Sequence, residues 1–134
     1  MKDKYSEALN RKLDQLSPGV SERLRSLDGY SLQAQRTVVG TLLQHACESQ
    51  NTANIAAARN ALAEIPPSTL IPRLNETIPN TVDFADEWGY RRLLELLRDI
   101  DSDILFTYVA RGLESPDPEI REVAEDFQLM AIAT

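Results

Sequence analysis

Histidine and cysteine each occur once in the 134 residues. No disulfide can close within the chain, and the usual Cys/His sets of a structural zinc site cannot be assembled. Glycine is scarce, 5 of 134. No Gly-rich phosphate loop and no Walker or dinucleotide fingerprint is present. No uninterrupted apolar run approaches the roughly 20 residues that a membrane helix needs. The opening stretch MKDKYSEALNRKLDQL carries charges throughout and lacks the apolar core of a secretory leader. These absences lead to the expectation of a soluble, reduced, cytoplasmic protein. His45 and Cys47 are the only strong nucleophile or base candidates. Two positions apart on a helix, they point to different faces and cannot act together. No Gly-x-Ser-x-Gly elbow supplies a serine nucleophile either. The expectation is therefore a protein that is not an enzyme and needs no cofactor.

Basic residues are also few, and the acids are unevenly spread. The formal net charge is −7. Residues 1–82 hold nine Lys/Arg against eight Asp/Glu, whereas residues 83–134 hold five Arg against thirteen acids. The negative charge therefore sits in the C-terminal part. Such a chain repels phosphate backbones and anionic membrane surfaces, so neither nucleic acid nor membrane is the expected partner. An acidic surface suits a basic partner protein, whose approach it would steer.

Apolar spacing is helical nearly everywhere, and no period-2 segment stands out. Tyr5, Leu9, Leu13 and Leu16 form one face of a first helix that Ser17-Pro18-Gly19 stops. A short helix with Val20, Leu24 and Leu27 follows. Ser31 reads as the N-cap of a helix through Val38, Leu42 and Ala46, which the polar stretch Glu48–Asn51 ends. Thr52 can cap the next, with Ile55, Ala58, Leu62 and Ile65. Pro66-Pro67 is a stop. A helix restarting at Ser68 or Thr69 carries Pro72 in about its first turn and closes at Pro79-Asn80. A long helix lies within Phe84–Ile100. Ser102 or Asp103 caps another, with Leu105, Phe106, Val109 and Leu113. Asp117-Pro118-Glu119 is a strong helix start. Asp99, Asp101 and Asp103 open like a calcium loop, but Ile104 and Ala110 stand where glycine and an acid are required, so the triplet reads as a capping turn.

An internal repeat is present. Ala58, Leu62, Ile65, Leu70, Ile71, Leu74 and Ile78 recur 35 positions later as Leu93, Leu97, Ile100, Leu105, Phe106, Val109 and Leu113. Each unit would be a helix, a tight turn and a second helix, whose apolar face needs a stacked neighbour. The segment Ser115–Phe127 (SPDPEIREVAEDF) resembles the turn and second helix of a HEAT-like repeat, with Asp117, Pro118, Ile120, Arg121 and Ala124 in the expected order. The resemblance implies an all-α fold of about seven to eight helices, a short HEAT-like α-solenoid of stacked helical hairpins. On this reading residues 1–134 form a single helical domain, with 1–50 as an N-terminal helical cap and 51–134 as repeats. The small size, the acidity and the run EWGYRRLLELL from Glu87 resemble bacterial toxin immunity proteins of contact-dependent growth inhibition and polymorphic toxin systems. That resemblance implies binding and neutralisation of a cognate, basic toxin domain. A HEAT-like adaptor or assembly subunit is the alternative.

Six of the eight aromatic residues lie in the acidic part: Phe84, Trp88, Tyr90, Phe106, Tyr108 and Phe127. At 100° per residue, Tyr90, Leu93, Leu94, Leu97 and Ile100 share one face, while Trp88, Arg91, Arg92 and Glu95 share the opposite one. Trp88 is either an exposed anchor on that face or, if the helix begins only after Gly89, folded into the core. Asp83, Asp86 and Glu87 suit a helix N-terminus better than a metal. In a HEAT-like array the second helices, here 52–65, 84–100 and 117–130, line one surface. The expected partner-binding residues are Asp86, Glu87, Trp88, Arg91, Glu95, Glu122, Glu125 and Asp126, with no metal site.

Overall fold

The computed structural model describes residues 3–48 and 50–133. It is all-helical, with no β-strand among the described residues. In chain order the helices are α1 (Lys4–Leu16), two short 3-10 segments (Val20–Glu22 and Leu24–Gly29), α2 (Leu32–Glu48), α3 (Thr52–Glu64), α4 (Pro67–Thr81), α5 (Glu87–Ile100), α6 (Ser102–Leu113) and α7 (Pro118–Ala133). The chain separates into two compact units, Met1–Thr81 and Val82–Thr134. The division falls at the step in charge, not near residue 50, where the sequence suggests a change from cap to repeats. The reason is α2, which packs extensively against both α3 and α4 and so ties the expected cap to the expected first repeat.

In the first unit, α2 is the central element. Val38, Val39, Leu42, Leu43, Ala46 and Cys47 are buried along it. Ser31 caps it, its Oγ accepting from Ala34 N–H at 3.1 Å. Ser49, in the polar stretch read as ending this helix, lies outside the described residues. The short helix expected after Gly19 is a pair of 3-10 turns instead. Gly19 stands at φ 77°, in the left-handed region that favours glycine. Asn51 rather than Thr52 caps α3, its Oδ1 accepting from Ala53 and Asn54 N–H. Helix α4 begins at Pro67, a favoured first position for proline. It runs through both Pro72 and Pro79 to Thr81, so Pro79-Asn80 does not close it. A proline in the last turn removes only one helical donor there. Helices α3 and α4 touch each other little; each packs on α2.

In the second unit, α5, α6 and α7 all pack against one another, with α6 and α7 the most extensive pair. Asp86 caps α5, accepting from Trp88 N–H at 3.2 Å. Asp101, not Ser102 or Asp103, caps α6, accepting from Ile104 N–H at 3.1 Å. Asp117 opens α7 as expected, accepting from Glu119 N–H at 2.9 Å. Arg121 Nη1 donates to the Ser115 carbonyl at 2.8 Å and ties the preceding turn to the helix. The core comprises Tyr90, Leu93, Leu94, Leu97, Ile104, Leu105, Tyr108, Val109, Ile120, Val123, Ala124 and Phe127. Phe106 does not belong to it. It is 50% exposed, because the inner stripe of α6 is made by Ile104, Leu105, Tyr108, Val109 and Gly112.

Tyr90 holds this unit in register. Its side chain is fully buried, and its hydroxyl donates to the Tyr108 carbonyl at 2.6 Å. A Cβ at Gly112 would overlap that hydroxyl, lie 2.6 Å from Tyr90 Cζ and meet the Ala124 Cβ at 2.9 Å. Phe84 completes the cluster, stacked on Tyr108 with ring centroids 5.7 Å apart and covered by the Arg111 guanidinium at 3.8 Å. Burial pushes the Tyr90 hydroxyl up to about 12.

Two outcomes follow for denaturant titrations. Gly112→Ala should destabilise the second unit by about 3 kcal/mol or more through overpacking, and Tyr90→Phe by about 1 kcal/mol through loss of one hydrogen bond. Because the folded-state value of Tyr90 lies above the ordinary one near 10, its contribution is intact below about pH 10 and is lost as pH rises through about 12. Wild type should therefore lose more stability over that window than Tyr90→Phe does. Equal losses would show that the buried hydroxyl is not the titrating group.

Candidate partner-binding face

The second unit combines an acidic composition with an exposed tryptophan, and its helix packing decides where these lie. Helices α5 and α7 run side by side in the same direction, since their side-chain pairs climb together. Near the start, Glu87 feels Glu119 and Glu122. One turn on, Arg91 Nη2 lies 3.4 Å from Asp126 Oδ2. Near the end, Arg98 sits over the Phe127 ring at 5.9 Å and reaches Met130 Sδ at 3.7 Å. The seam thus alternates acid, arginine, acid and arginine between the two helices.

Of the expected binding residues, the structure brings Glu87, Arg91, Glu122 and Asp126 together along this seam. Trp88 is in the first turn of α5 and 66% exposed, which resolves the two readings left open by the sequence. Glu95, at i+7 from Trp88, lies on the same side of α5 and is half-buried. Glu125 is exposed on α7, three positions beyond Glu122 and therefore its neighbour on the helix surface. Asp86 is committed to capping α5, so its carboxylate already has a structural partner. Helix α3, placed by the sequence on the same surface, belongs to the first unit.

The carboxyl of Glu87 is raised above its ordinary range. Desolvation against neighbouring atoms is the leading cause, followed by the Glu119 carboxylate and a hydrogen bond to it, with Arg91 opposing. Two carboxyls this close favour holding a proton between them. A raised folded-state value favours folding at mildly acidic pH, and that contribution fades as pH rises through it.

Sequence reasoning missed Glu119 and Arg98 of the seam and, beside them, two apolar residues of this face. Leu129 is 66% exposed and Met130 is 41% exposed, both in the last turns of α7. The departure of Leu129 from the Ile120, Val123 and Phe127 stripe was the available signal. In the first unit, a groove of about 680 Å³ runs between α2 and α4, lined by Thr37, Gly40, Thr41, Gln44, Thr77 and Thr81 among others. At its edge Arg36 Nε donates to Glu76 Oε2 at 2.7 Å and holds that carboxyl below its usual range. No apolar periodicity announces this groove, because it is built from small polar side chains. No group of His, Cys, Asp and Glu suited to a metal ion occurs among the described residues. No described helix is long and apolar enough to cross a membrane. No protein-family profile, curated protein or solved structure matches this chain.

Replacing Glu119 with Gln should lower the Glu87 carboxyl toward its ordinary range, read by carbon-detected NMR titration. An unchanged Glu87 titration would place Glu119 outside contact with it.

Proposed function

We propose that this chain is an immunity protein, a HEAT-like helical protein of the cytoplasm that binds and neutralises a cognate, basic bacterial toxin domain through the acidic α5/α7 face. The observation that carries the reading is an exposed Trp88 on a unit that holds thirteen acids against five arginines. Large aromatic residues exposed beside charge are the composition of binding hot spots. The acids speed encounter with a basic protein, and the Trp88 side chain slows release. The exposed acids Glu122 and Glu125 have no role in the core and are available to a partner. The HEAT-like assignment is supported by the α6–α7 hairpin, in which Asp117 caps, Arg121 ties the turn, and Ile120 and Ala124 are buried.

The composition favours a protein partner over nucleic acid or membrane. On this reading the face serves a binding protein rather than an enzyme. A second reading, a HEAT-like adaptor or assembly subunit, draws on the exposed apolar residues Phe106, Leu129 and Met130, which suit a longer-lived assembly.

Co-expression with basic toxin candidates encoded by neighbouring reading frames tests the proposal. Rescue of growth and a tight purified complex are expected. No rescue and no complex with any neighbouring toxin candidate would contradict it. Within such a complex, Trp88→Ala should weaken binding by about 2 kcal/mol or more, mainly through faster release. Reversing Glu122 and Glu125 together to Lys should slow association about tenfold or more at low salt and flatten its salt dependence, with the helical circular-dichroism spectrum unchanged.

A further inference from the structure

A cavity of about 250 Å³ lies between α1, α2 and α3, lined by Tyr5, Ala8, Leu9, Lys12, His45 and Asn54. It holds the only histidine of the chain. Lys12 Nζ lies 3.3 Å from His45 Nε2, so the ring nitrogen accepts and the imidazole carries its proton on Nδ1. The Tyr5 hydroxyl accepts from Asn51 Nδ2 at 3.2 Å, which leaves its own proton to donate. Asn54 brings a carboxamide from the first turn of α3.

The lining contains an ammonium, a hydroxyl, an amide and an imidazole, and no carboxylate. Two other cavities of the same unit each carry acids, Glu48 and Glu76 in one, Glu22 and Glu64 in the other. No described carboxylate forms an ion pair with Lys12. An ammonium that lines a recess with a hydroxyl and an amide as further donors and no counter-charge is matched by an anion with several acceptor oxygens. The first unit permits this, since its residues hold nine basic against eight acidic side chains. The volume falls below the roughly 300 Å³ at which drug-sized ligand pockets begin, so the ligand is small.

We propose that the Lys12–His45 cavity is a binding site for a small oxyanion, a phosphate or carboxylate group held between Lys12 Nζ and the His45 ring, with Tyr5 and Asn54 as further donors. Burial and then Lys12 keep the imidazole below its ordinary value while the cavity holds no anion. An arriving anion screens Lys12, and Nε2 takes a proton from solvent to become a donor. The groups facing the ring are Lys12 and Tyr5 from α1 and Asn54 from α3. Lys4 is drawn to the Tyr5 ring, and on the ring's own helix Glu48 is held by Gln44.

Because His45 is the sole histidine, its ring gives one unambiguous NMR signal. Titration of the full chain with inorganic phosphate, and separately with acetate, should shift that signal saturably at constant ionic strength. Saturation by phosphate alone identifies a phosphate site, and by acetate alone a carboxylate site; either supports the proposal. Lys12→Met should weaken the apparent affinity about tenfold or more, with an unchanged helical spectrum. Non-saturating shifts that match those given by chloride would overturn the proposal. So would saturation undiminished in Lys12→Met.

Discussion

The space above Gly112 can hold the Tyr90 ring or a Cβ, not both. That exclusion, closed by the hydrogen bond from Tyr90 to the Tyr108 carbonyl, fixes how α5 is rotated against α6. Everything on the outer side of α5 follows from the rotation. With Tyr90, Leu93, Leu94 and Leu97 turned inward, Glu87, Arg91 and Arg98 meet α7, and Trp88 is left facing solvent.

Magnitudes separate what holds the second unit together from what it displays. Buried side chains such as Leu93, Leu97 and Phe127 each contribute about 1.5–3 kcal/mol. The Arg91–Asp126 pair, partly exposed on both sides, falls in the class worth about 0–1 kcal/mol. The apolar stripe therefore sets the fold, and the charged seam tunes it only slightly. A face whose charges contribute little to stability can be selected for the field it projects.

Local signals made most of the helices legible. Asp117-Pro118-Glu119 announces α7 because capping involves only neighbouring residues, and Ser31 announces α2 for the same reason. Where the sequence misled, a distant group decided the outcome. By spacing alone Phe106 completes a stripe with Leu105, Val109 and Leu113, yet the inner face of α6 extends from Leu105 and Val109 toward Ile104, Tyr108 and Gly112, away from Phe106. Its key member, Gly112, has no side chain to enter a periodic pattern, and the volume there is filled by Tyr90 from another helix. Pro79 reads as a stop, but a helix tolerates a missing donor in its final turn. The seam between α5 and α7 was half legible: the wheel placed Arg91 and Glu95 outward, while the pairing with Glu119 and Asp126 needed the packing of α7. Leu129 was legible only as an apolar residue off the stripe, a signal that gains meaning once its exposure is known.

The most direct measurement is a hydrogen-exchange footprint of the chain in complex with the basic toxin domain proposed as its partner. Slowed exchange and surface protection across α5 and α7, centred on Trp88 and Glu122 with α1 to α4 unchanged, is the predicted result. Protection confined to residues 1–81, with the acidic helices exchanging as in the free chain, would contradict it.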